Sequence, residues 1–264
     1  MKRILEQAKS RYSLEGCAFA PVSGHEGGRN RIVIVSRNGE KRYVLRISSL
    51  GDRSESDYLA ETEFVRFLAK NGAPVADVIP SVQGRLVERV EADGKPAYVS
   101  LFACAKGMLM ADNGYRYREG APLSEYFYNT GRALGTIHRL SKAYAPVHPR
   151  PDYFDKYNMT SLDRLIPDEY GELKKAVARR LEAFRALPKD KACYGLVHFD
   201  FSDGNYGSRG RGKVYGTPSV SLWLTPPSGR EAKRREIEKN RPPADWQGAF
   251  CGQSRDCPNS IGFS

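Results

Sequence analysis

The stretch Val197-His198-Phe199-Asp200-Phe201-Ser202-Asp203-Gly204-Asn205 carries residue types that phosphoryl transfer uses. Asp200 follows His198 by two positions, and Asn205 follows Asp200 by five, giving the spacing H-x-D-x-x-x-x-N. A carboxylate at Asp200 can accept a hydrogen bond, and then the proton, from an acceptor hydroxyl. The amide oxygen of Asn205 can bind Mg2+. His198 fits a role in ordering the loop, Gly204 lets it turn tightly, and Asp203 is given no ligand role. The plainer alternative is a polar loop that follows a buried strand.

A transferable phosphoryl group also has to be held at its other end. Gly24, Gly27 and Gly28 lie in a polar, glycine-rich turn from Val22 to Asn30. Backbone N–H groups in such a turn can approach phosphate oxygens, although the full G-x-G-x-x-G pattern is not present. Val44-Leu45-Arg46-Ile47 puts Arg46 where the kinase strand V-A-I-K carries lysine. Arginine meets phosphate with a planar fork, whereas lysine offers a point charge. Glu61, on the helix that follows, is the chosen partner for Arg46. The competing readings are an ordinary hairpin turn, a solvated strand residue and a surface carboxylate. Taken together, the pieces suit a triphosphate donor held with magnesium.

The elements that must position these residues follow from periodicity and punctuation. Residues 2–12 read as a short amphipathic helix. Strands over 31–35 and 42–47 are joined by a tight turn at Asn38-Gly39. A helix over 55–70 has Tyr58, Phe64, Val65 and Leu68 to bury and stops at Asn71-Gly72. Three short strands follow over 75–79, 84–90 and 97–102, then a connector from Ala103 to Gly107. The clearest helix spans 123–140; a second covers 169–187, with Tyr170, Leu173, Val177, Leu181 and Phe184 as its stripe. Between them, the prolines at 146, 149 and 151 impose an irregular segment. After Tyr206, glycines, prolines and a charged run leave no persistent helix or strand pattern apart from one exposed helix at Arg230–Arg241. Residues 207–264 are therefore expected to be mostly disordered or poorly packed.

The chain has 264 residues, 40% of them hydrophobic and 28% charged, which fits a globule of one large or two modest lobes. No apolar run reaches the roughly 18 residues of a membrane span, so no membrane association is expected. The N-terminus lacks the apolar core of a signal peptide. Five cysteines without metal-ligand spacing read as reduced thiols in a cytoplasmic protein. The net charge is +11, and residues 207–264 supply +5 of it through ten Lys/Arg and five Asp/Glu. A nucleic-acid partner is not expected, because no recognised binding motif accompanies the charge. A positive cleft also suits an anionic nucleotide.

On these residues the chain resembles the aminoglycoside phosphotransferase-like superfamily of small-molecule kinases, which includes choline kinases and homoserine kinase-like proteins. The resemblance runs over about residues 1–206. It rests on Tyr43-Val44-Leu45-Arg46-Ile47, Glu61-x-x-Phe64, Phe102 through Gly107, Gly131 through Leu140, and His198 through Asn205. It implies an α+β, protein-kinase-like two-lobe fold. The β-rich nucleotide-binding lobe would cover 1–103, and the start of a helical lobe with the catalytic loop would cover 108–206. ATP and Mg2+ would lie between them, with a small-molecule substrate as the acceptor. Asp200 would match the catalytic aspartate, Asn205 the first metal ligand, and Arg46 the phosphate-contacting base.

Family members continue with a short hairpin and an apolar-apolar-Asp motif carrying the second metal ligand. Here the first aspartate after Asn205 is Asp245, set in Pro242-Pro243-Ala244-Asp245-Trp246. The C-terminal lobe is therefore expected to be incomplete or non-native, as a shift of reading frame would make it. Phosphotransfer by this chain should be impaired. The alternatives are a protein kinase, a non-catalytic nucleotide-binding or interaction protein, and a nucleic-acid binder. Against a protein kinase, D-F-G and A-P-E do not appear.

Overall fold

The computed structural model describes residues 1–22, 30–48, 53–92, 94–105, 108–109, 120, 122–150, 152–190, 194–197, 206–209, 213–216 and 221–224. The chain divides into two units at Thr225/Pro226, and every described residue belongs to the first.

Helix α1 (Lys2–Tyr12) buries Ile4, Ala8 and Tyr12, a four-residue repeat on one face. Strand β1 (Ala18–Pro21) pairs antiparallel with β2 (Asn30–Arg37), which pairs in turn with β3 (Glu40–Ser48). Asn38 and Gly39 connect β2 to β3 with φ of 52° and 77°. Two consecutive positive φ values form the type I′ turn that Asn-Gly favours, because its twist matches that of the strands. Helix α2 (Glu55–Lys70) has the span expected from its sequence. A capping box fixes its start: the Ser54 hydroxyl accepts from the Asp57 N–H, and the Asp57 carboxylate accepts from the Ser54 N–H.

The sheet is completed by β4 (Val78–Ile79), β5 (Glu88–Ala92) and β6 (Lys95–Ala103), giving the order β1-β2-β3-β6-β4, with β5 also on β6. Side chains alternate across it. Leu45 and Ile47 of β3 join Val33, Val35, Val99 and Leu101 under α1. Val44 faces the other way, into a core of Phe64, Val65, Leu68, Val78 and Phe102.

That second core also takes Ile137 and Leu140 from α3 (Leu123–Ser141) and Leu196 from β8 (Tyr194–Val197). Between α3 and β8 lie α4 (Tyr153–Lys156), α5 (Met159–Leu165), a 3-10 turn (Asp168–Tyr170) and α6 (Gly171–Arg185). Two regions differ from the sequence expectation. The helix expected over 169–187 begins as the 3-10 turn, and of its stripe Leu181 is buried while Tyr170, Leu173 and Phe184 are exposed. Its described neighbours are short, among them α5, the 3-10 turn and α4, whose Tyr153 and Phe154 meet Phe184 and Arg185, and they cover little of it. The segment after Tyr206 also contains strands. Strand β9 (Tyr206–Arg209) pairs with β10 (Lys213–Gly216) and with β7 (Met108–Leu109), while β11 (Ser221–Leu224) pairs with β8. These four-residue strands are held by backbone pairing, which leaves no apolar alternation to read.

The result is a mixed α and β fold of kinase-like architecture. Among the described residues no helix is long and apolar enough to cross a membrane.

Candidate functional site

Strand alternation puts Arg46 on the α2 side of β3, and the helical repeat puts Glu61 opposite it. Arg46 Nη1 lies 2.5 Å from Glu61 Oε1, with side chains only 8% and 3% exposed. The guanidinium carbon of Arg46 also lies 5.1 Å from the Phe102 ring centroid and 6.0 Å from that of Tyr58. A guanidinium held on one side by a buried carboxylate and between aromatic faces is a fixed positive charge. It is able to donate to the oxygens of a phosphate.

Two further arginines converge on Glu61. Arg53 Nη1 lies 3.6 Å from Glu61 Oε2. Arg150 Nη1 donates to the Asp57 carbonyl at 2.9 Å. Burial lowers the pKa of Arg150, while Glu61 acts to raise it. Sequence reasoning found the first pair but neither Arg53 nor Arg150, nor His148, whose Nδ1 lies 2.9 Å from Glu63 Oε1. The only local signal at 148 and 150 was the proline spacing around them.

Gly24, Gly27, Gly28, His198, Asp200 and Asn205 lie outside the described residues, and so does His25. Their flanks are described. Residues 22–29 connect the antiparallel strands β1 and β2, and the Val22 N–H donates to the Ile32 carbonyl at 3.0 Å. Residues 198–205 connect β8 to β9. The entry to that connection is anchored. Asp152 accepts from Lys189 Nζ at 2.6 Å and from the Tyr194 hydroxyl. Burial alone would raise the Asp152 carboxyl, but these hydrogen bonds and the Phe154 N–H hold it below its ordinary value. Gly195 passes so close to α3 that a Cβ there would lie 3.1 Å from Ser141 Oγ.

The residues that can be tested against a nucleotide fit its anionic part: Arg46 and Arg53 are cations beside one carboxylate. Among the described residues there is no group of three or more His, Cys, Asp or Glu side chains arranged to hold a metal. Asn205, the candidate for that role, lies outside them.

The phosphotransferase enzyme family (APH) matches residues 21–214. An amicoumacin kinase of Bacillus subtilis (strain 168) is 28% identical over 208 residues, covering 78% of this chain and 59% of that protein. Among solved structures, an amicoumacin kinase in complex with AMP-PNP, Ca2+ and Ami superposes with a TM-score of 0.68 at 21% identity, over 84% of this chain and 65% of the other. A microcompartment-associated aminopropanol kinase superposes at 0.64 and 17% identity, over 85% and 71%. This chain therefore spans about three fifths of the curated amicoumacin kinase it matches. With strands, helices and the Arg46–Glu61 pair in the described order, and the family match spanning most of its length, the chain belongs to the phosphotransferase enzyme family.

Proposed function

We infer that the chain is an ATP-dependent phosphotransferase acting on the hydroxyl of a small-molecule acceptor. The observation that carries this reading is the buried Arg46–Glu61 pair between β3 and α2. The nucleotide-binding part would comprise residues 1–103, and the part carrying the catalytic loop residues 108–206. ATP supplies the phosphoryl group that is transferred. Arg46 holds phosphate oxygens through its guanidinium, and backbone N–H groups near Gly24, Gly27 and Gly28 cover the phosphates. Asp200 orients the acceptor hydroxyl and accepts its proton, and Asn205 is the residue suited to Mg2+. The names of the relatives make amicoumacin and aminopropanol the first acceptors to assay.

A second reading is favoured by one fact of sequence: no aspartate occurs between Asn205 and Asp245. Without a second carboxylate for the metal, much of the electrostatic stabilisation of phosphoryl transfer is lost. The chain would then bind nucleotide without turning it over.

Calorimetric titration of the purified chain with ATP and Mg2+ tests both readings. Saturable binding, weakened by Arg46→Ala and by Asn205→Ala, is the expected outcome. Phosphate transfer to an acceptor, abolished by Asp200→Asn, would select the first reading, and binding without transfer the second. No binding by a folded chain would sink both.

A further inference from the structure

The connector after α3 runs back along α2. Tyr144 packs against Phe64 and Phe67, with ring centroids 5.0 and 4.9 Å apart. His148 Nδ1 lies 2.9 Å from Glu63 Oε1, and Arg150 Nη1 donates to the Asp57 carbonyl at 2.9 Å. As the connector advances from 144 to 150, its contacts retreat along α2 from 67 to 57. Ten helical residues rise about 15 Å. Six extended residues reach about 20 Å, so the segment is long enough to lie antiparallel along the helix. Pro146 and Pro149 restrict its backbone, and Pro151 follows directly. Burial, with the nearby Glu63 adding to it, pushes the Tyr144 phenol up to about 12, so it stays neutral against the helix.

These contacts bracket Glu61. Arg150 holds the turn before it at Asp57, and His148 holds Glu63, two residues after it. The apolar face of α2 fixes the helix against the sheet, and Arg66 Nη1 ties it to the Val78 carbonyl at 2.7 Å. In the N-terminal half Tyr58 packs on Tyr98 of β6, with ring centroids 5.1 Å apart, and the strap adds polar ties to that packing.

We propose that residues 144–150 form a strap whose His148 and Arg150 are positioning residues: they hold the N-terminal half of α2 so that Glu61 meets Arg46. The proposal rests on the phosphotransferase reading of that pair and adds residues to it. It ties the nucleotide-contacting arginine to a segment about 100 residues further along the chain. In a kinase-like site, placement of this helix decides whether the basic residue faces the phosphates. The strap makes that placement a built-in feature.

The test uses the full chain with two readouts, amide hydrogen exchange over α2 and binding of a fluorescent ATP analogue with Mg2+. Arg150→Ala and His148→Ala should speed exchange between Leu59 and Phe64 and weaken nucleotide binding about three- to tenfold. In an Arg46→Ala background the same changes should cost no further affinity, because the strap acts through that residue. His148→Asn, whose amide nitrogen can stand in for Nδ1, should restore most of the effect. Val147→Ala, in the strap but 78% exposed, should change neither readout. If Arg150→Ala weakens binding with α2 exchange unchanged, Arg150 acts on the nucleotide directly and the proposal is wrong. An equal loss in the Arg46→Ala background overturns it as well. Should the Ala variants fail to fold, Arg150→Met and His148→Leu, which keep bulk but remove the donors, carry the same comparison. Should the wild-type chain bind no nucleotide, the phosphotransferase reading fails, while exchange over α2 still decides whether the strap holds the helix.

Discussion

Removing Glu61 and removing Arg46 are not equivalent perturbations, although each breaks the same buried pair. Glu61 faces Arg46 and Arg53 and lies within the electrostatic reach of Arg150. Glu61→Gln would leave these guanidinium groups together without their shared carboxylate. It should cost about 3–5 kcal/mol of stability, the range for breaking a buried pair. Arg46→Gln leaves Glu61 with Arg53 at 3.6 Å, so its cost should be smaller by at least about 1 kcal/mol. Urea unfolding of both variants checks the order, and equal midpoints would show that Arg53 and Arg150 do not share the carboxylate. The sequence made Arg46 and Glu61 legible as a pair because they are separated by only 15 residues, across a strand end and a helix start. Arg150 and His148 were not legible, because their partners lie 93 and 85 residues away. No local pattern encodes contacts of that range.

At the scale of elements, α1 is held to the sheet by apolar packing and by one buried charge. Glu88 on β5 is fully buried and accepts from Arg11 Nη1 at 3.0 Å, with Arg85 further off at 4.0 Å. Arg11→Ala should therefore cost about 2 kcal/mol, less than a fully buried pair because Arg11 is partly exposed. Adding Glu88→Gln should recover part of it, which a double-mutant unfolding cycle would read. Helix α3 carries a different sensitivity. Burial first, and Lys142 second, lower the pKa of His138 from its ordinary 6.5. The unfolded chain then takes up its proton at higher pH than the folded one. The stability gained by keeping His138 neutral is present above pH 6.5 and declines as pH falls below it. His138→Gln should flatten this part of the thermal-midpoint profile between pH 7.5 and 5.5; an unchanged slope would assign the loss to other groups. Where α3 meets β8, Gly195→Ala should destabilise by about 1 kcal/mol by crowding Ser141 Oγ, and Ser141→Ala should relieve it. The long helices α2 and α3 and the Asn38-Gly39 hairpin were readable because each repeats its signal over several turns or carries its own turn chemistry. The four residues of β1, the four of α4 and the seven of α5 are too short to show a period. Capping boxes at Asp152 and Asn158 define those two helices instead.

At the scale of the molecule, the family match ends at residue 214, and the division between units falls at Thr225/Pro226. A chain ending at Gly216 should unfold at a lower temperature than one ending at Thr225, because β8 then loses its pairing with β11. The coding DNA read in another frame beyond codon 206 should contain the apolar-apolar-Asp segment that the family resemblance implies; its absence from both other frames would remove the frame-shift account. The pairing of β7 with β9 has a further consequence, one of timing. Met108 meets Ser208, a partner 100 residues later. The sheet of β1 to β6 closes entirely within residues 18–103, so it can form while the rest of the chain is still being made. At about 5–20 residues per second, β7 then waits roughly 5–20 s for the strand that pairs with it. During that interval the nascent chain carries a finished sheet followed by an unpaired edge, and it is in this window, rather than in the completed molecule, that a chaperone would find the most to bind.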